Sequence, residues 1–333
     1  MSVTVAPHGV WKSPITGNSF TARSVTLSQV RVDGPDTYWV EGHPLEGGRG
    51  TLLRRRSTGE TGEVLPLIDG VRLPDIGTRV HEYGGKAYAV HHGVIVFSDR
   101  TDGRVYAFDT AEPRRGIRPL TTLSQVRYGD FWIADVRGLV YAVAEDHSGE
   151  GEPVNSIVAI PLDGSAARNN DAIIPVFGGT DFAQAPTVSP DGTKLAWISW
   201  NHPNMPWTYS QLRVASLTFE GTIDQEVVLV DQPGVCVYEP RWTFDGELIT
   251  WMTPPAGRTC TAPRASRGRT AKTRTRGRRV CVPAPYTRAS ARSHTHTGIS
   301  ACTPTTTSTT TTWCARGPRT RCGTSVPYAS TTV

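Results

Sequence analysis

Residues 186–197, PTVSPDGTKLAW, and residues 240–251, PRWTFDGELITW, are two copies of one unit. Pro186 and Pro240, Asp191 and Asp245, Gly192 and Gly246, and Trp197 and Trp251 each lie 54 positions apart. Self-similarity at a fixed period constrains a fold more than composition does, because each unit is one supersecondary element that must bury its apolar face on the next. The unit reads as strand, Asp-Gly turn, strand. The Asp-Gly pair supplies the positive-φ positions of a tight hairpin, and the alternating apolar residues after it fit a half-buried strand.

Weaker copies lie upstream. VDGPDTYWVEG (32–42), HHGVIVFSD (91–99) and DVRGLVYAVAED (135–146) place Gly34, Gly93 and Gly138 before aromatic or aliphatic runs. With Gly192 and Gly246, the turn glycines are 59, 45, 54 and 54 residues apart. Further strand-like runs follow the first four turns: TLLRRR (51–56), RVYAFD (104–109), SIVAIPL (156–162) and QLRVASL (211–217). AIIPVF (172–177) and EVVLV (226–230) come later in their units. Four strands per unit at this period is the pattern of a β-propeller blade. A β-sandwich also has short, regularly spaced strands, but nothing in it calls for an Asp-Gly hairpin every fifty residues or so. The sequence therefore predicts an all-β fold, an incomplete propeller of about four blades (27–70, 78–122, 126–180 and 183–232) plus the first two strands of a fifth. An open ring of this kind leaves a sheet without its neighbour.

Composition divides the chain at about residue 254. Residues 1–256 carry 21 of the 35 Lys and Arg and all 30 Asp and Glu, a formal −9; residues 257–333 carry the other 14 basic groups and no acid. The net charge of +5 thus belongs to the tail, which also holds five of the six cysteines. The domains read as 1–253, a partial propeller, and 254–333, a basic Thr/Arg/Cys-rich tail expected to stay disordered, because it has too little large aliphatic side chain to offset ordering entropy. No apolar run is long enough to cross a bilayer, and Met1-Ser-Val-Thr-Val-Ala-Pro-His8 is not a signal peptide. The lone early cysteine, Cys236, agrees with a reducing compartment. A cytoplasmic protein without membrane contact is expected.

Three segments are too particular to be generic blade sequence: RVHEYGG (79–85), EDHSGEGEPVN (145–155) and SWNHPNMPW (199–207). Together with WKSPIT (11–16) and the two Asp-Gly hairpins, they resemble the propeller of bacterial prolyl-oligopeptidase-family serine peptidases, of the acylaminoacyl-peptidase and dipeptidyl aminopeptidase kind. The resemblance covers about residues 8–253. It implies a two-domain hydrolase in which the propeller covers an α/β-hydrolase domain and admits short peptides to a Ser-Asp-His triad. The nucleophile elbow of such a domain needs Gly-x-Ser-x-Gly. No such pentapeptide occurs here; Gly298-Ile-Ser-Ala-Cys302 and Gly323-Thr-Ser-Val-Pro327 lack the closing glycine. No catalytic residue is therefore assigned, and this chain alone is expected to be inactive. The function expected is substrate gating for a peptidase, with short peptides as the partners.

His81 with Glu82, or His147 with Glu150 and Glu152, could suggest metal binding or acid–base work. The spacing is not that of a helical His-Glu-x-x-His site, and Gly149, Gly151 and Pro153 argue for a loop. Turn-forming and blade-linking roles are expected instead, with no cofactor and no metal. In Asn201-His-Pro-Asn-Met-Pro206 two prolines stiffen a loop whose flanking Trp200 and Trp207 should pack on neighbouring blades. Glu152 and Asn204 are the candidates for facing substrate.

Three readings of 254–333 compete. A stand-alone propeller with a nucleic-acid-binding extension would use RASRGRTAKTRTRGRR (264–279), but only Tyr286, Trp313 and Tyr328 could interleave as aromatics, so nucleic acid is not the partner expected. A metal or disulfide module fits poorly, since Cys260, Cys281, Cys302, Cys314 and Cys322 contain no Cys-x-x-Cys and are odd in number. The reading adopted is translation in a shifted frame. Gly257-Arg-Thr-Cys-Thr-Ala262 is compatible with codons that, moved back by one nucleotide, encode Trp-Ser-Asn-Leu-Tyr-Arg, which resembles a third blade strand in this family.

Overall fold

A computed structural model describes residues 24–253, together with residues 7, 8 and 10 and the backbone of residues 278–280. WKSPIT and nearly all of 254–333 lie outside these residues, as do the tail's frame and its expected disorder.

The chain builds consecutive antiparallel sheets in sequence order. The first holds β1 (Thr26–Asp33), β2 (Asp36–His43), β3 (Arg49–Arg55) and β4 (Thr61–Glu63), paired in that order. The second holds β5 (Tyr88–His91), β6 (Val94–Ser98), β7 (Val105–Asp109) and β8 (Arg118–Pro119). The third runs β9 (Val126–Ala134), β10 (Leu139–Asp146), β11 (Val154–Pro161) and β12 (Ile174–Phe177). The fourth runs β13 (Phe182–Val188), β14 (Lys194–Trp200), β15 (Gln211–Leu217) and β16 (Ile223–Val230). The fifth pairs β17 (Val237–Trp242) with β18 (Leu248–Met252), on whose far side lies the short β19 (Arg278–Val280). These are the blades expected from the repeat, with bounds shifted by a few residues. The largest shift is in the second blade, where residues 79–85 form a loop ahead of β5.

Among the described residues there is no single core. Four apolar clusters each lie between two successive sheets, and Val96, Val105, Phe131, Val140 and Ile160 make the one between the second and third. A sheet sandwiched on both faces buries consecutive residues, so its inner strands lose the period-2 alternation of a half-buried strand. In β14 every residue from Leu195 to Trp200 is buried, and in β10 every residue from Leu139 to Glu145. The half-buried expectation for the strand after the Asp-Gly turn therefore fails for β14, which has a blade on either side, while β2 and β18 do alternate between buried and more exposed residues over Tyr38–Val40 and Leu248–Thr250. The first sheet is covered by the second on one face only, and Leu27, Val30 and Val32 of β1 remain exposed.

The turns also differ from expectation in one respect. Gly34, Gly93, Gly138, Gly192 and Gly246 all have positive φ, but Asp33, Asp191 and Asp245 do not. Their carboxylates do the work instead: Asp191 Oδ1 accepts from Thr193 N at 3.0 Å, Thr193 Oγ1 at 2.8 Å and Ser189 Oγ at 2.6 Å. Among the five hairpins that open the blades, both turn residues have positive φ at His92-Gly93 alone, with φ of 49° and 79°, the two-residue hairpin joining β5 to β6; outside them Asp69-Gly70 forms an Asp-Gly turn of that kind, with φ of 51° and 70°.

Candidate functional site

Antiparallel connectivity sorts the loops onto two faces. The first-to-second and third-to-fourth strand turns of each blade share one face. The second-to-third loops and the links between blades share the other. All three segments singled out in the sequence reach the second face: residues 79–85 are a link, while 147–153 and 201–210 are second-to-third loops, and the link 178–181 lies on that face too.

They also converge. The His81 backbone N–H donates to Glu145 Oε2, joining the link before the second blade to β10 of the third. Glu145 is 2% exposed. Its Oε1 also accepts from Arg127 Nη1 at 3.2 Å and lies 2.6 Å from His147 Nε2. Arg127 reaches the Glu82 carboxylate as well. The His81 ring meets Trp200 edge-on at 5.7 Å and Phe182 at 5.5 Å, while Phe182 and Trp200 stack at 5.2 Å. His202 closes the group, edge-on to Phe182 at 5.0 Å and 3.1 Å from Asp181 Oδ2. Burial lowers the His81 pKa, against the pull of the Glu145 carboxylate and the neighbouring Asn155 amide. His81 Nε2 and Asn155 Oδ1 are both buried without reaching hydrogen-bond geometry.

Beside this cluster lies a cavity of about 190 Å³ lined by His81, Tyr83, Lys86, Asp130, Tyr238 and Glu239, among others. Its charged side chains Lys86, Asp130 and Glu239 come from one structural position used repeatedly. The innermost strands β1, β9, β13 and β17 each carry a register shift, and there Gln29, Asp130, Ala185 and Glu239 adopt φ between 47° and 55°. Lys86, just ahead of β5, has φ 46°. These residues link blade to blade around the axis. Ala87 N donates to Gln29 Oε1 at 2.6 Å, Asp130 N to Lys86 O at 3.0 Å, and Ala185 N to Asp130 Oδ2 at 2.6 Å. Lys86 Nζ then pairs with Asp130 Oδ1 at 3.2 Å and, from the second blade to the fifth, with Glu239 Oε1 at 3.4 Å. Burial works to raise the Glu239 pKa, but Lys86 and Arg241 overcome it and hold the carboxyl below its usual range.

His147 bonds to Glu145, while Glu150 and Glu152 are exposed and form no ion pair among the described residues. Glu152 and the half-buried Asn204 lie on loops of the same face but do not line the cavity. Trp200 is buried and reaches His81 of a preceding link, as expected of a blade-packing residue, but Trp207 is 57% exposed, because its loop turns it outward. Among the described residues no hydroxyl or thiol is hydrogen-bonded to a histidine, so the arrangement can position and select but offers no activated nucleophile. The axial residues escaped the sequence reading, since Gln, Lys, Asp, Ala and Glu share no side-chain signature and the common feature is backbone conformation.

No family model matches the chain, and neither does any curated protein. Solved structures do. A puromycin hydrolase is 34% identical, with a TM-score of 0.66, over 75% of this chain and 39% of that one. A variant of puromycin hydrolase in complex with PGG matches at 34% identity and a TM-score of 0.67, with the same 75% and 39% coverage. A puromycin-hydrolyzing peptidase of Mycobacterium tuberculosis is 33% identical, with a TM-score of 0.64, over 75% of this chain and 39% of that one. This chain therefore spans about 39% of the length of these relatives. With that likeness over the blades just described, the chain belongs to the prolyl-oligopeptidase family, and its described residues are homologous to the propeller region of the puromycin hydrolases.

Proposed function

We propose that residues 24–253 gate access of short peptides or aminoacyl amides to a hydrolase domain, and take no covalent part in the reaction themselves. The observation that carries this reading is the convergence of the three distinctive segments beside an axial cavity, on one face. Lys86, bonded to Asp130 and Glu239, narrows that opening with charged side chains. A constriction of this kind passes a small substrate and excludes a folded chain. Glu152 and Asn204, on loops of the same face, would meet substrate outside the cavity.

The test is a puromycin hydrolase whose own propeller region is replaced by residues 24–253. The hybrid should hydrolyse puromycin and short aminoacyl amides and spare long peptides. Replacing both Lys86 and Glu239 by alanine should raise the rate on longer peptides and leave puromycin hydrolysis as it was. Identical length profiles for the hybrid with and without these side chains would refute gating at the axis. Glu152→Gln and Asn204→Ala in the same hybrid should raise KM for short substrates, and unchanged kinetics would remove both from the substrate face.

A further inference from the structure

Two groups of potential metal ligands occur among the described residues, and their surroundings decide between them. Glu82, Glu145 and His147 lie together, but the Arg127 guanidinium already sits on both carboxylates and supplies the positive charge an ion would bring. His91, His92 and Asp135 have no such cation. Asp135 Oδ2 lies 2.8 Å from His92 Nδ1, and Asp135 Oδ1 lies 3.5 Å from His91 Nε2. The two imidazoles stack at 4.0 Å with 28° between their planes, so each presents one nitrogen to the same carboxylate. All the donor atoms lie within 4.8 Å of one another. No Lys or Arg is ion-paired with Asp135 among the described residues.

Backbone hydrogen bonds hold this arrangement. Asp135 Oδ1 accepts from Val136 N at 2.8 Å. The Asp33 carboxylate accepts from His92 N at 2.9 Å and Gly93 N at 2.7 Å, which fixes the hairpin carrying both histidines and places a second negative charge against it. Two neutral imidazoles and one carboxylate suit a borderline dication, whose ligand bonds of about 2.0–2.2 Å need donors roughly this close, with a fourth position left to water.

We propose that His91, His92 and Asp135 bind a divalent transition-metal ion, of the Zn²⁺ or Ni²⁺ type, that ties the second blade to the third. His91 and His92 stand on the β5–β6 hairpin, and Asp135 on the β9–β10 turn, so the ion would cross-link the second and third sheets at the face opposite the polar bonds that Lys86 and His81 make between them. The site lies on the face opposite the axial loops. It is independent of the gating reading, and neither result bears on the other.

The test titrates NiCl₂ into the full chain after its thiols are alkylated, alongside Asp135→Asn and His91→Gln. Wild type should bind one more Ni²⁺ per chain than either variant, or bind it at least tenfold more tightly. At roughly 100-fold excess over the dissociation constant the ion should raise the melting temperature of wild type by roughly 5 °C, with the rise lost in both variants. His91→Gln reports independently of Asp135→Asn, which also removes a charge from the turn. Equal binding by all three proteins, or a thermal shift that survives both substitutions, overturns the proposal.

Discussion

Replacing Glu145 tests whether the convergence of loops holds the blades together. In β10 this residue stands directly opposite Arg127 of β9 and Asn155 of β11, and its side chain is 3% exposed. Glu145→Ala removes the buried acceptor shared by the Arg127 guanidinium, the His147 ring and the His81 backbone N–H, and leaves Arg127 only the exposed Glu82 carboxylate and the Arg79 carbonyl. Breaking a buried pair from one side costs about 3–5 kcal/mol, because the remaining charge keeps its desolvation penalty and loses its partner. For a domain of this size that corresponds to a fall of roughly 6–20 °C in melting temperature. Glu145→Gln retains one carbonyl acceptor and should cost less, about 1–3 kcal/mol. Urea unfolding followed by tryptophan fluorescence measures both, since Trp200 reports on the His81 contact. The double variant Arg127→Met, Glu145→Ala should be no less stable than Glu145→Ala alone, because the stranded charge is then gone. A loss below about 0.5 kcal/mol for Glu145→Ala would show the network to be solvent-compensated and refute the argument.

Two further outcomes follow from particular groups. Burial depresses the His81 pKa, so the unfolded chain takes up that proton first; stability should be full above the usual value of 6.5 and decline as pH falls below it. His81→Phe should flatten the dependence of the urea midpoint just below pH 6.5, whereas Asp135 and Glu239, whose pKa values are also depressed, lose their contribution only further into acid. Gly192→Ala should cost about 1–2 kcal/mol, as its φ of +72° disfavours a Cβ that would also stand 3.0 Å from Val136 Cγ2 of the neighbouring blade; an unchanged urea midpoint would show that the turn relaxes freely.

What the sequence disclosed and what it withheld divide along physical lines. The blade order was legible because each first hairpin needs one glycine at positive φ, and Gly34, Gly93, Gly138, Gly192 and Gly246 mark it in every blade. Burial on both faces was not, because strand–turn–strand repeats are compatible with either a one-sided or a two-sided sheet until the neighbour is known. The loops at 79–85, 145–155 and 199–207 stood out individually, yet nothing local joins His81 to Glu145, 64 residues later, or to Trp200. Nor does sequence spacing join His91 and His92 to Asp135, 43 residues beyond His92. In a radial fold, neighbouring blades bring equivalent positions together, so the separations that matter are near one repeat. Gln29, Lys86, Asp130, Ala185 and Glu239 recur at 57, 44, 55 and 54 residues, close to the spacings of the turn glycines. The axis is therefore a second periodic feature, written in backbone conformation rather than residue type. Within this chain the bulge persists while the side chain changes from Gln to Asp, Ala and Glu, so backbone conformation sets the geometry of the axis and residue type sets its charge and the bonds it makes to the next blade.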